Sequence, residues 1–322
     1  HRRRHSFPTR RSSDLALRGR EALGVTWQPG EHATHQSSQQ REALLAAVRA
    51  PGTPARQLGD ATAALAGAAR IVEAEYLVPH LAHVPMEPPA ALAHVRADGC
   101  EIWAPSQHPQ AARKEAARIL EIDEDRITLH VTFLGGGFGR KSKSDFIAEA
   151  VVLSRAAGVP VRVQWTREDD IKGGFYRPMV LHKLKAGMKD GRITGWEHTI
   201  VAKSILVGTP FESLMVKDGV DATSVEGAAE LPYAVANLQV DLHSPKSPVP
   251  VQWWRSVGHS HNAFFAEGFV DELAHAAGAD PVEYRLKLLG ELPRHAAVLR
   301  LVLSTLVCGK STTMLFVSAQ RV

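Results

Sequence analysis

The most constraining feature of this chain is one continuous stretch, RITLHVTFLGGGFGRKSKSDFIAEAVVLSRAAG, at residues 126–158. In it Ile127, Leu129, Val131 and Phe133 alternate with Thr128, His130 and Thr132, the period of two that predicts a half-buried strand. The apolar positions after Ser144 follow a helical spacing, with Ser144 or Asp145 as N-cap and Gly158 as the stop. Gly135 to Gly139 lie between the two. A strand that feeds a glycine loop opening a helix presents free backbone N–H groups and the positive end of a helix dipole to an anion. Arg140 or Lys141 would supply a cation for a phosphate. The spacing is not the dinucleotide fingerprint, because Arg140 stands where the third glycine would fall, and no Gly-Lys-Ser/Thr follows four residues after a glycine. On pattern alone, a tight structural turn and a cradle for an anion or cofactor both remain open.

Around this unit the chain reads as mixed helices and hairpins without strict βαβ alternation, so the expected class is α+β. Residues 16–60 show weak periodicity and read as the end of a preceding domain or a linker. From Ala61, ATAALAGAARIVEAEY predicts a short helix running into a strand. GCEIWAPS predicts a strand and PQAARKEAARIL a helix. VPVRVQWTRE is strand again, and MVLHKLKAGMK and RITGWEHTIVAK flank Asp190-Gly191, a hairpin dipeptide. Phe265, Phe269 and Leu273 at spacing four mark a helix that Gly278 ends, and Asp280-Pro281 starts another.

Other groups invite chemistry more weakly. His80, His83 and Glu87 carry ligand-type side chains, but Pro79, Pro85, Pro88 and Pro89 oppose a helix that would align them, so a hydrogen-bonded turn is the better reading. His259-Ser260-His261 is not a nucleophile elbow. Trp253, Trp254 and Arg255 read first as core packing beside a surface ion pair.

The formal charge of +4 sits in residues 1–15, which hold five arginines and one aspartate, so the rest of the chain is neutral. A basic tail on a neutral body does not point to a nucleic-acid partner. The tail HRRRHSFPTRRSSDL has no apolar h-region and looks non-native. No apolar run is long enough to span a membrane. Cys100 and Cys308 alone make neither a disulfide framework nor an iron–sulfur site. With 44% hydrophobic residues the chain can build a sizeable core.

Taken together, VEAEYLVPHLAHVPMEP, IWAPSQHPQ, GGGFGRK, VRVQWTRED and WWRSVGHSHNAFFAEGFVDELAHAAGADPVEYR resemble, in order and approximate spacing, the xanthine dehydrogenase and aldehyde oxidase superfamily. The last stretch is most similar to the branch formed by the beta subunits of isoquinoline 1-oxidoreductase. The resemblance covers residues 60–295. It implies a molybdopterin-binding domain of α+β type over residues 61–299, preceded by the tail of a smaller α/β domain, with residues 300–322 an aberrant C-terminal tail.

The resemblance further implies that Gly136, Gly137, Phe138 and Gly139 lie against a molybdenum–pterin cofactor, their N–H groups meeting an oxo ligand or a phosphate. Arg255 matches the arginine of the family's Arg-Gly-x-Gly motif and Gly258 its closing glycine. Gln107 matches a recurrent glutamine. Ser142 and Val257 replace a substrate-binding glutamate and a stacking phenylalanine of xanthine oxidases, and Leu81 replaces a glutamine, so an N-heteroaromatic or an aldehyde is expected rather than a purine.

The implied reaction is hydroxylation with oxygen from water. Its electrons would leave through 2Fe-2S clusters on a partner subunit, with a cytochrome c beyond it in this branch. A cytosine dinucleotide form of the pterin and a periplasmic location are the family expectations. The family's glutamate base lies in a Gly-x-Gly-Glu motif absent from this chain, and Glu87, Glu267 and Glu272 do not match it, so no catalytic residue is expected here. The alternatives are a phosphate- or nucleotide-binding module without redox chemistry, or an inert truncated product.

Overall fold

The computed structural model describes residues 7–306; residues 1–6 and 307–322, Cys308 among them, lie outside the described residues. The chain divides into a unit of residues 1–37 and a unit of residues 38–322. In the first, helix α1 spans Phe7–Glu21, which begins inside residues 1–15, read as a non-native tail, and runs beyond them.

In the second unit the principal strands are β1 Thr53–Leu58, β2 Arg70–Val78, β3 Ala90–Arg96, β4 Gly99–Ala104, β5 Ile127–Val131, β6 Val161–Gln164, β7 Val180–Lys189, β8 Arg192–Ala202 and β9 Leu238–His243. The principal helices after α1 are α2 Ser37–Ala47, α3 Ala61–Ala66, α4 Pro109–Leu120, α5 Asp145–Ala157, α6 His259–Ala276, α7 Pro281–Leu288 and α8 Pro293–Leu306.

A five-stranded sheet has the order β1-β9-β8-β7-β2. Only the β8–β9 pair is parallel; the others are antiparallel. The β7–β8 hairpin turns at Asp190 and Gly191, with φ of 50° and 72°, the geometry a tight Asp-Gly turn requires. Helix α6 lays its apolar stripe on this sheet. Phe265 stacks on Tyr76 at 4.9 Å, and Phe269 meets Trp196 edge-on at 5.1 Å. Phe265, Phe269 and Leu273 are fully buried, each contributing about 1.5–3 kcal/mol by transfer from water.

A four-stranded sheet, order β5-β4-β3-β6, carries α4 and α5. Helix α5 buries Phe146, Ile147, Ala150, Val151 and Ser154. The Ser154 hydroxyl is satisfied, accepting from Val95 N–H at 3.0 Å and donating to Val159 O at 2.8 Å. The α+β class and the boundaries expected for α4 and α5 are those observed.

Two expectations need correction. Strand β5 stops at Val131, and Val131 and Phe133 are exposed rather than buried, because β5 is an edge strand whose apolar contacts with the helical layer end at Leu129. The five-stranded sheet takes in residues ahead of Ala61: β1 pairs with β9, and its half-exposed edge position gave no alternation to read. Helix α8 crosses the boundary at residue 299 and leaves the reading of residues 300–322 as an aberrant tail untouched.

Candidate functional site

The glycine loop leaves β5 at Thr132, whose N–H is the last to bond β4, at Ala104 O. Gly136 and Gly139 have φ of 89° and 104°, values open to glycine, and Phe138 between them is held at 55°. Each glycine also faces a protein neighbour. A Cβ at Gly135 would lie 2.5 Å from Glu87 Cβ, at Gly137 2.3 Å from Gln107 Oε1, and at Gly139 2.1 Å from Trp253 O. Two side chains and one backbone carbonyl thus mould the loop.

Glu87 accepts the Gly135 N–H at 3.0 Å and pairs with Lys141 Nζ. Burial raises the Glu87 pKa, but the hydrogen bonds from Lys141 and Gly135 outweigh it and leave the carboxyl below its ordinary value. Gln107 accepts the Gly139 N–H at 3.0 Å. His83 Nε2 donates to Trp253 O at 2.7 Å, the same carbonyl that faces Gly139. Burial lowers the His83 pKa, so the ring is neutral.

The two cations expected to neutralise a phosphate do not face outward. Arg140, 1% exposed, makes a two-point pair with Asp145 at 2.9 and 2.6 Å and lies over Trp165 and Phe175. Lys141, also 1% exposed, is held by Glu87. A buried cation needs such a partner, and these two have theirs inside the protein. They brace the loop.

The segment before α6 is the second wall. Residues 250–252 pair with the short strand Tyr176–Arg177, and Gln252 Nε2 donates to Arg140 O at 3.2 Å, tying this segment to the glycine loop. Arg255 is exposed at the tip of the turn that follows. Ser256 and Val257 hold φ of 68° and 44°, rare for residues other than glycine. Val257 packs with Ile205 and Leu206. Gly258 is buried; a Cβ there would lie 2.2 Å from Thr223 O, and its N–H donates to Glu226 Oε2 at 3.1 Å. The structure therefore sets Gly139 of the glycine loop against Trp253, the residue that opens the turn carrying Arg255, while Gly258 at the end of that turn packs on Thr223 and Glu226.

What the loop offers a ligand is specific. The N–H groups of Gly136, Gly137 and Phe138 meet no acceptor among the described residues, and neither does Gln107 Nε2. Beside them Phe133 is fully exposed, with Met86, Leu134 and Phe138 partly or largely so. Adjacent donors in a loop with positive-φ residues form an anion-binding concavity, and the apolar rim suits a flat ring system. These residues fit a cofactor bearing oxygen acceptors on a planar body.

The other candidates are engaged elsewhere. His80 bonds Gln40 and Arg177 O, Ser260 Oγ donates to Val257 O, Glu267 holds Tyr233 and Arg285, and Glu272 accepts from Tyr76. Unforeseen in the sequence, His261 belongs to a buried chain with His182 and His198, at 3.2 and 2.8 Å. No sequence spacing announces it, since the three rings come from three elements.

Residues 47–289 match the family model described as the molybdopterin cofactor-binding domain. The chain belongs to this family of molybdenum-enzyme domains. It is 35% identical over 221 residues to the beta subunit of isoquinoline 1-oxidoreductase from Brevundimonas diminuta, covering 68% of this chain and 28% of that one. It is 32% identical over 289 residues to a nicotinate dehydrogenase subunit from Pseudomonas putida KT2440, covering 86% and 24%. Thus the chain spans roughly a quarter of the length of these relatives.

Among solved structures, quinoline 2-oxidoreductase from Pseudomonas putida 86 superposes with a TM-score of 0.65 at 20% identity, covering 82% of this chain and 37% of that one. Aldehyde oxidoreductase from Desulfovibrio gigas gives 0.60 at 22%, covering 74% and 26%. These likenesses concern the fold. The nucleotide-module alternative finds no support in the relatives, and the cations it would have used are buried.

Proposed function

We propose that this chain forms part of the cofactor cradle in the large subunit of a molybdenum hydroxylase that oxidises an N-heteroaromatic compound or an aldehyde. The observation that carries the reading is the row of unpaired N–H groups at Gly136, Gly137 and Phe138, beside exposed aromatic surface, within a chain of the molybdopterin-binding family. When bound, the molybdenum–pterin group supplies two-electron chemistry that places a water-derived oxygen on an electrophilic carbon.

The chain's own residues bind and orient. The three loop N–H groups and Gln107 Nε2 donate to the cofactor's oxygens, the Phe138 ring covers one side, and exposed Arg255 offers a planar cation to an anionic group. Gly139 and Gly258 act by close approach, because their N–H groups are already taken by Gln107 and Glu226. None of the glutamates considered is free to act as the base, so that residue belongs to another part of the parent protein. The names of the relatives favour an N-heteroaromatic or aldehyde substrate, and Val257, packed against Ile205 and Leu206, leaves no stacking ring for a purine at that position.

We further place 2Fe-2S clusters on a partner subunit, a cytochrome c beyond it, a cytosine dinucleotide on the pterin and the assembly in the periplasm. The test is molybdenum and pterin analysis of the parent protein, co-expressed with its partner in a molybdenum-replete host. About one molybdenum and one pterin per chain is expected; a protein that holds neither overturns the proposal.

A further inference from the structure

Beneath the Trp253–Gly258 turn lies a small cavity of about 20 Å³. Arg177, Gln252, His261 and Ser224 line it, with apolar walls from Ile205 and Val257. Two of these side chains carry buried polar atoms without partners, Arg177 Nε and Gln252 Oε1, on residues 9% and 1% exposed. An unmade hydrogen bond of this kind costs about 1–3 kcal/mol. Rotating the Gln252 amide does not solve it, because Nε2 donates to Arg140 O and the rotated oxygen would face that carbonyl.

A polar cavity above about 10–15 Å³ with two to four partners is large enough for one water molecule. We propose that one ordered water occupies this cavity, accepting from Arg177 Nε–H and His261 Nε2–H and donating to Gln252 Oε1, its second hydrogen directed at the Ser224 hydroxyl. A small anion is the weaker occupant. It would satisfy Arg177 but repel the Gln252 oxygen.

The water has a consequence for the histidine chain. His261 Nδ1 lies 3.2 Å from His182 Nε2, and His182 Nδ1 lies 2.8 Å from His198 Nε2. Each gap takes one hydrogen, so three neutral rings can run in either of two directions. Once His261 donates to the water through Nε2, its Nδ1 must accept from His182 Nε2–H, and His182 Nδ1 from His198 Nε2–H. All three rings then carry the proton on Nε2. The same hydrogen-bonded path runs from Arg140 O, beside the glycine loop, through Gln252 and the water to the middle of the five-stranded sheet. This site rests on the chain's own geometry, whatever group the glycine loop holds.

The tautomers are read by long-range 1H–15N spectra of the histidine-labelled full chain at pH 7.5. Nε2–H on His182, His198 and His261 is expected, with a shift toward Nδ1–H in Gln252→Met, whose side chain fills the cavity. Nδ1–H rings in the unmodified protein, or the same tautomers in Gln252→Met, overturn the proposal. Should that variant not fold, a high-resolution crystal structure of the unmodified chain decides. A water within hydrogen-bond distance of Arg177 Nε, Gln252 Oε1 and His261 Nε2 supports the site; an empty cavity or a bound ion refutes it.

Discussion

Gln107 Oε1 accepts the N–H of Gly139 at 3.0 Å and occupies the place where a Cβ on Gly137 would stand. One side chain therefore sets both the conformation of the glycine loop and the requirement for glycine within it. Replacement at the two glycines should differ in cost. At Gly137 the obstacle is the end of a side chain that can swing away, and Gly137→Ala should cost about 1 kcal/mol, the worth of the lost hydrogen bond. At Gly139 the obstacle is the Trp253 backbone, at a φ of 104°. Gly139→Ala should cost about 3 kcal/mol or more from strain and overpacking together. Urea unfolding of both variants checks the order; equal losses would show that the backbone contact is relieved by movement elsewhere.

The Lys141–Glu87 pair predicts an asymmetry of a different kind. Glu87→Leu strands a fully buried ammonium and removes the acceptor of Gly135 N–H, while Lys141→Met leaves a carboxylate that is 35% exposed and can be hydrated. The first should cost about 2 kcal/mol more than the second, less than for a wholly enclosed pair because water reaches Glu87. Unfolding free energies measured at pH 7 decide it, and Lys141→Met proving the more damaging would remove the bracing role assigned to the pair.

Burial holds the pKa of His198 and of His261 at about 3, and that of His182 well below its ordinary value. In the unfolded chain these rings take up protons near pH 6.5, which the folded protein refuses. Their neutral form is therefore free of penalty above pH 6.5, and stability is lost as pH falls below it toward 3. Each ring contributes up to about 1.4 kcal/mol per pH unit in that window. Unfolding free energies between pH 7.5 and 5.0, ahead of most carboxylate titration, should bend downward near 6.5; a flat profile would mean the rings are solvated.

Ser256 sits at a φ of 68° in the turn that carries Arg255. Ser256→Gly should raise stability by up to about 1 kcal/mol, the relief of a left-handed conformation less the added freedom of the unfolded chain. Val257→Gly, at 44°, should not, because it also removes packing against Ile205 and Leu206. Thermal unfolding of the two variants separates strain from packing, and a destabilised Ser256→Gly would show that the serine is held by a compensating contact.

Much of this fold could be read directly where the signal is local. Periodicity and end signals placed α4 and α5, and Asp190-Gly191 placed the β7–β8 hairpin. Strand β1 escaped notice because an edge strand half in solvent need not alternate. Of the candidate site, the glycine loop stood out by its pattern and the Arg255 segment only through the family resemblance, while the loop's neighbours did not show. Arg140 and Lys141 look like phosphate ligands until Asp145 and Glu87 are seen to hold them, and Glu87 is 54 residues from Lys141. The histidine chain likewise draws on β7, β8 and α6, and long-range placement of this sort leaves no trace in spacing.

If the unpaired donors of the glycine loop hold the cofactor, amide hydrogen exchange of the parent protein with and without its bound pterin will report it at those residues. The amides of Gly136, Gly137 and Phe138 should be slowed at least about tenfold in the loaded protein, while those of Gly135 and Gly139, already bonded to Glu87 and Gln107, change little. Equal exchange at Gly136, Gly137 and Phe138 in the two forms would contradict the account, and the loop would then be a structural turn alone.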